Sequence, residues 1–222
     1  MRENVVISSR GESLLATHTV LRNTYWLLGL TLLFSAATAG FAMVTKAKPN
    51  LILTIAGIYG LMFLTSFLRN SGWGLLAAFA FTGFMGYTLG PMLNLVLHNY
   101  ANGSQILMAS LGATGVIFFA LSAYVLTTRK DFSFLGGFLF VGLMVAFLAS
   151  IAGLFFNIPA LHLAVSAAFV LLSSGMILFQ TSLIINGGER NYIMATISIY
   201  VALYNLFVSL LQLFSAFGGR NN

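Results

Sequence analysis

Three side chains within the apolar stretches of this 222-residue chain carry groups that hydrocarbon penalises: His162, Gln180 and Asn205. An amide or imidazole facing lipid is costly, so each is expected to turn into a helix bundle and find a partner there. Imidazole also titrates near neutrality, which makes His162 a candidate proton acceptor. No carboxylate lies near it in sequence, and a packed, hydrogen-bonded histidine is the simpler reading. Tyr192, Tyr200 and Tyr204 stand eight and four residues apart and so share one helix face. With Asn205 they make the last apolar stretch rich in polar decoration and a candidate for the bundle centre. Interhelical hydrogen bonding and a ligand or ion site both remain open for these groups.

Enzyme chemistry finds little support. Cysteine is absent, which removes thiolate nucleophiles and thiolate metal sites together. There is no His-Glu-x-x-His metal helix, nucleophile elbow or P-loop. The four acidic residues, Glu3, Glu12, Asp131 and Glu189, all fall in tails or connections. A serine paired with His162 is the sole nucleophile and base the spans offer, and no motif accompanies it. The chain is therefore expected to be non-catalytic, without cofactor or metal. Charged residues inside a membrane usually mark proton or ion paths, so the lack of acidic residues in the spans argues against a proton-coupled pump or an acidic ion channel while leaving a passive leak open.

The elements that must position these residues follow from composition. The chain is 59% hydrophobic and 6% charged, far from the quarter or so of charged residues in soluble domains. Each crossing takes roughly 20 apolar residues, so seven crossings consume about 140 and leave no separate soluble domain. Polar breaks divide the chain into spans at Thr24–Val44, Leu51–Leu68, Trp73–Leu97, Gln105–Thr127, Phe132–Phe156, Leu161–Ile185 and Asn191–Phe217. The expected architecture is an all-α membrane protein. Residues 1–23 form a polar tail, 24–217 the seven-helix domain, and 218–222 a short C-terminal tail. The first span is too long for a signal-peptide core. The first tail is either a handle for a partner or an amphipathic leader on the membrane, with Val5, Ile7, Leu14, Leu15 and Val20 available to lipid.

Alternating the connections puts Arg2, Arg10, Arg22, Arg69, Arg129, Lys130 and Arg190 on one side, with Lys46, Lys48 and Arg220 on the other. The richer side is then cytosolic, with the N-terminus inside and the C-terminus outside. The net charge of +6 is scattered between spans and reads as a topology signal, not a nucleic-acid surface. Gly83, Gly86 and Gly90, Gly112 and Gly115, and Gly136, Gly137 and Gly142 are expected to let helices approach closely. Gly90 with Pro91 is expected to bend the third span.

Three segments carry a resemblance. SAYVLTTRKDFSFLGG at Ser122–Gly137, TGFMGYTLGP at Thr82–Pro91 and YVALYNLFVSLLQLF at Tyr200–Phe214 resemble the Bax inhibitor family of membrane proteins. LLATHTVLRNTYWLL at Leu14–Leu28 and NGGERNYI at Asn186–Ile193 are similar to a bacterial branch of that family. The resemblance implies seven helices with the last one central and surrounded by the other six, in the bacterial inner membrane. It also implies binding to the membrane-anchored AAA protease FtsH, as substrate and as a modulator restraining its proteolysis of membrane proteins. Other bacterial members are pH-sensitive calcium leaks governed by two aspartates on the last two helices. Matching those motifs places the first aspartate at Gln180 and the second at Ala202, neither of which can titrate. Calcium ions are accordingly the alternative partner that the family suggests.

Overall fold

In hydrocarbon, backbone N–H and C=O groups have no water to bond and must be satisfied within their own segment, which selects helices for apolar runs of this length. The computed structural model describes residues 2–48, 50–155 and 158–218, with side chains from Thr17 onward, Leu154 excepted. Its helices are α1 (Arg2–Val44), α2 (Leu51–Leu68), α3 (Trp73–Asn99), α4 (Gly103–Thr128), α5 (Leu135–Phe155), α6 (Pro159–Ile185) and α7 (Tyr192–Gly218). All seven contain stretches long and apolar enough to span a bilayer, and there are no strands among the described residues. The chain is a multi-pass membrane protein.

Several helix ends differ from the sequence expectation for identifiable reasons. Helix α1 runs without a break from Arg2, so the polar boundary at Asn23 is not a structural one; the side chains of Val5, Ile7, Leu14 and Leu15 lie outside the described residues. Pro159 opens α6 in place of belonging to the preceding turn, because proline's fixed φ and missing N–H suit the first helical turn. Helix α5 starts at Leu135, since Phe132 to Phe134 are held in the connection. Asn191 stands outside α7 as its cap: its Oδ1 accepts from the Ile193 and Met194 N–H groups at 3.0 and 3.1 Å. Helix α3 continues through Pro91 to Asn99. The tail residues 219–222 lie outside the described residues.

Helix α7 is the axis. It is 67% buried across its apolar window, against 6% for α2 and 11% for α5. It packs on α1, α3, α4 and α6, while α2 rests on α3 and α5 on α6. The last helix is central as expected, but four helices enclose it instead of six, and α2 and α5 form an outer layer. That layer exposes large apolar side chains such as Ile52, Phe63, Phe67, Phe138 and Phe140, the surface lipid tails require.

The most extensive interface joins α1 to α3. A methyl group at Gly86 would collide with the Ser35 carbonyl, one at Gly90 with Ala42, and one at Gly83 with the Phe34 ring. This stripe packs as its spacing predicts. The same holds for Gly136 against Phe179 and Gly142 against Leu172. Gly112, Gly115 and Gly137 behave otherwise: beyond their own helix turn, no atom of the described residues lies within 4 Å of where a Cβ would stand. Their expected packing role is corrected: these glycines face open space.

Connections gather at alternate ends. Asn191 Nδ2 donates to the Arg69 carbonyl (2.9 Å) and to Asn70 Oδ1 (3.0 Å), joining the α2–α3 and α6–α7 connections. At the same end, Ser182 Oγ accepts the Phe132 N–H (2.8 Å) and the Asn186 amide (3.1 Å), fastening the α4–α5 connection to α6. At the opposite end Asn102 Nδ2 reaches the Gly218 carbonyl, 3.3 Å away, and covers the end of α7.

Candidate functional site

The chemistry-bearing residues that meet do so around α7. Tyr200 is buried to 1% exposure, and its hydroxyl lies 2.6 Å from Ser35 Oγ on α1 and 3.1 Å from the Thr82 carbonyl on α3. A carbonyl can only accept, so the phenol proton goes to Thr82 and the Ser35 hydroxyl donates to Tyr200. This relay fixes three helices to one another, and Gly86 makes it reachable: without a side chain there, Ser35 sits directly against α3. Phe81 meets the Tyr200 ring edge-on at 6.3 Å between centroids.

One turn along α7, Tyr204 repeats the arrangement. Its hydroxyl lies 3.0 Å from Thr88 Oγ1, which in turn reaches the Met85 carbonyl at 2.7 Å. The Thr88 proton is committed to that carbonyl, so Tyr204 is the donor. The two tyrosine rings stand 6.4 Å apart. Further ties to α7 come from Thr196 Oγ1, which donates to the Thr24 carbonyl of α1, and from Ser166 Oγ of α6, which donates to Gln212 Oε1 at 2.6 Å.

Beside the tyrosine pair lies a cavity of about 450 Å³. Its floor is Tyr200, Leu203, Tyr204 and Phe207 of α7. Ala36, Ala39 and Gly40 of α1 form one wall and Leu111, Thr114 and Gly115 of α4 the other, with Leu89 and Leu93 of α3 closing one flank. Among the described residues helices α1 and α4 share no extended interface, and those at the mouth, including Ala36, Gly40, Leu111 and Phe119, are exposed. Thr114 spends its hydroxyl on the Ser110 carbonyl, so the surface offers few free polar groups.

The other singled-out residues are not part of this cluster. His162 is exposed at the start of α6, its ring lying over Gly153 of α5, and is not an interior residue. Gln180 is half-buried near the far end of α6, and Asn205 half-buried at the middle of α7. None of the three has a side-chain hydrogen-bond partner among the described residues, contrary to expectation. For His162 and Gln180 the reason is position, since both lie within about two turns of a helix end, where water and headgroups can serve them. Tyr192 is half-buried at the start of α7. Ala202 is 3% exposed and packs in the apolar core with Ile177 and Ile184. Among the described residues no three His, Asp or Glu side chains converge to hold a metal ion.

Thr88 and Ser182 carry structural ties that their residue types alone did not signal. The Gly86-x-Thr88-x-Gly90 spacing, which puts a hydroxyl among the close-packing glycines, is the available cue for the first. Near Ser182, the Asp131 carboxylate accepts the Ser133 N–H at 2.9 Å, and this bond, helped by the Ser133 and Ser182 hydroxyls, holds it below the usual carboxylate range.

Comparison with known proteins adds three relatives and a family. The family described as Inhibitor of apoptosis-promoting Bax1 matches residues 17–219. A protein of Escherichia coli strain K12 named Modulator of FtsH protease YccA is 56% identical over 213 residues, covering 95% of this chain and 96% of the relative. An uncharacterised protein of Pseudomonas aeruginosa is 58% identical over 201 residues, 90% of each chain. A protein of Vibrio cholerae named as an uncharacterised membrane protein is 45% identical over 207 residues, 91% of each.

Proposed function

This chain belongs to the family of inhibitors of apoptosis-promoting Bax1, and from that premise we propose that it is a non-catalytic modulator, and itself a substrate, of the membrane-bound AAA protease FtsH. The observation that carries the reading is the 56% identity to the Escherichia coli modulator across nearly the whole of both chains. Similarity of that extent spans all seven helices, so it covers the bundle and its connections together.

The protein sits in a bacterial inner membrane with its N-terminus in the cytosol and its C-terminus in the periplasm. Arg22, Arg69, Arg129, Lys130 and Arg190 support this orientation, because they belong to the end of the bundle where the α2–α3, α4–α5 and α6–α7 connections meet. That end faces the cytosolic part of the protease, and the start of α1 projects from the same side. The modulator works by occupying the protease through helix contacts in the bilayer and by offering its N-terminal segment, with no bond made or broken by its own residues.

No specific observation favours the calcium leak. Its two gating positions are an amide at Gln180 and a buried methyl at Ala202, and neither supplies the carboxylate oxygens calcium prefers.

Affinity capture of the full chain from membranes containing FtsH, in mild detergent, tests the proposal. Retention of the protease, together with no pH-dependent calcium flux in liposomes made from the same preparation, is the expected result. Flux without retention would replace the modulator reading with the leak.

A further inference from the structure

The groove beside Tyr200 and Tyr204 is unexplained by the modulator reading, and its properties define what fills it. Its volume of about 450 Å³ falls within the roughly 300–1,000 Å³ typical of small-molecule sites. A whole spanning helix, about 10 Å wide and 30 Å long, is far too large for it. Its lining is apolar, and the hydroxyls that border it are already committed: Tyr200 to Thr82, Tyr204 to Thr88 and Thr114 to Ser110. Water gains few hydrogen bonds in such a space, and an empty groove forfeits dispersion contacts along its whole lining.

Position identifies the source of the occupant. The lining residues run from the middle of α7, at Tyr200 and Tyr204, toward the end of α1 at Met43 and the start of α4 at Leu107. The groove therefore lies in one half of the bilayer, with its mouth between α1 and α4 on the lipid-facing surface. Just beyond Met43, α1 stops and is followed by Lys46 and Lys48, both exposed and with no acidic partner among the described residues. They are the lysines at this end of the bundle among the described residues, three and five positions beyond the groove-lining Met43.

We propose that the groove between α1 and α4 binds one acyl chain of an anionic phospholipid, entering laterally from the bilayer, ending against the Tyr200–Tyr204 pair and leaving its phosphate beside Lys46 and Lys48. The bound chain takes the place of helix packing between α1 and α4. Glycines on both walls keep the site open: Gly40 and Gly115 line it, and a Cβ at either position would meet nothing within 4 Å. Larger side chains there are sterically tolerated by the protein and displace the ligand.

The test uses the full chain in phosphatidylethanolamine and phosphatidylglycerol liposomes, with a phosphatidylglycerol probe bearing a photoreactive diazirine at the middle of one acyl chain. Cross-linked residues are mapped by mass spectrometry in the parent chain and in Gly40→Leu, Gly115→Leu and Gly60→Leu. Gly60 lies on α2, away from the groove, and also has nothing within 4 Å, so it controls for insertion of a leucine as such. The proposal expects label concentrated on residues 36–43 and 107–119, lowered about tenfold by each groove variant and unchanged by Gly60→Leu. A phosphatidylcholine probe of the same chain length is expected to label the groove less. Label spread evenly over the exposed faces of α2 and α5, or groove label indifferent to both leucines, overturns it. The parent chain's labelling pattern decides even where a variant fails to insert.

Discussion

Helix α1 has two flanks that the sequence decorates alike and the structure uses in opposite ways. Toward α3, the glycines at 83, 86 and 90 bring backbones together until a methyl group has no room, and Ser35 is seated against Tyr200 as a result. Toward α4, Gly115 lines an open groove, and a Cβ there would meet no neighbouring helix within 4 Å among the described residues. Glycine spacing thus permits close approach without causing it. What closes the α1–α3 flank is a set of directed bonds, with Asn94 Nδ2 reaching the Met43 carbonyl at 3.1 Å as well as the Tyr200 relay. Among the described residues the α1–α4 flank has no comparable hydrogen bond, and its contact is the stack of Tyr25 on Phe118, 5.9 Å between ring centroids.

The sharpest way to break this contrast is Gly86→Leu. Its side chain would strike the Ser35 carbonyl and separate α1 from α3, so a loss of about 3 kcal/mol or more is expected. Equilibrium unfolding in mixed micelles reads it directly, and an ordinary melting profile would show that the seam is not tight. Tyr200→Phe comes next. It strips the Thr82 carbonyl and the Ser35 hydroxyl of a partner without changing packing, for a cost of about 1–2 kcal/mol. Tyr204→Phe loses a single bond and should cost roughly half that. Equal losses for the two phenylalanines would contradict the relay.

Where a glycine of α4 has no such neighbour the sign reverses. Gly112→Ala gains helix propensity and meets no neighbour, so it is expected to stabilise by about 0.5–1 kcal/mol. Destabilisation there would mean that α4 is packed where the structure leaves it free.

The smallest effects concern helix ends. Helix α1 closes with Lys46 at φ 50°, with the Ala47 N–H bonded to the Ala42 carbonyl and the Lys46 N–H to that of Met43. Helix α6 has the same closure with Gly187 in the left-handed position, at φ 75°. Lys46→Gly removes the steric penalty of a side chain there and adds unfolded-chain entropy, for a net gain of about 0.5 kcal/mol in the same assay. At the far end of α4, Asp131 supplies a weak pH dependence. Its folded pKa lies below 3.8, so its contribution is present above that value and fades as pH falls through the folded pKa. Asp131→Asn should remove that acidic limb from a stability profile.

Much of this architecture was legible beforehand because lipid imposes a simple rule: long apolar runs become helices, and charges and glycine–asparagine clusters separate them. The prominence of α7 was legible too, since Tyr200 and Tyr204 share a face with buried neighbours. The partners of those tyrosines were not, because Ser35, Thr82 and Thr88 look like any hydroxyls that bond their own helix. His162, Gln180 and Asn205 drew attention for their cost in hydrocarbon, yet two of them avoid that cost by lying near helix ends. The difference between Gly86 and Gly112 was invisible, since it depends on which helix stands opposite. Whether a glycine is crowded is a property of the neighbour, not of the span that carries it.

The most direct test of the modulator assignment is proteolysis by FtsH co-reconstituted in liposomes with a membrane-protein substrate, measured as this chain is titrated in. Slower substrate degradation that saturates near equimolar ratio, with slow turnover of the chain itself, is the predicted result. A degradation rate indifferent to the chain at every ratio would contradict it.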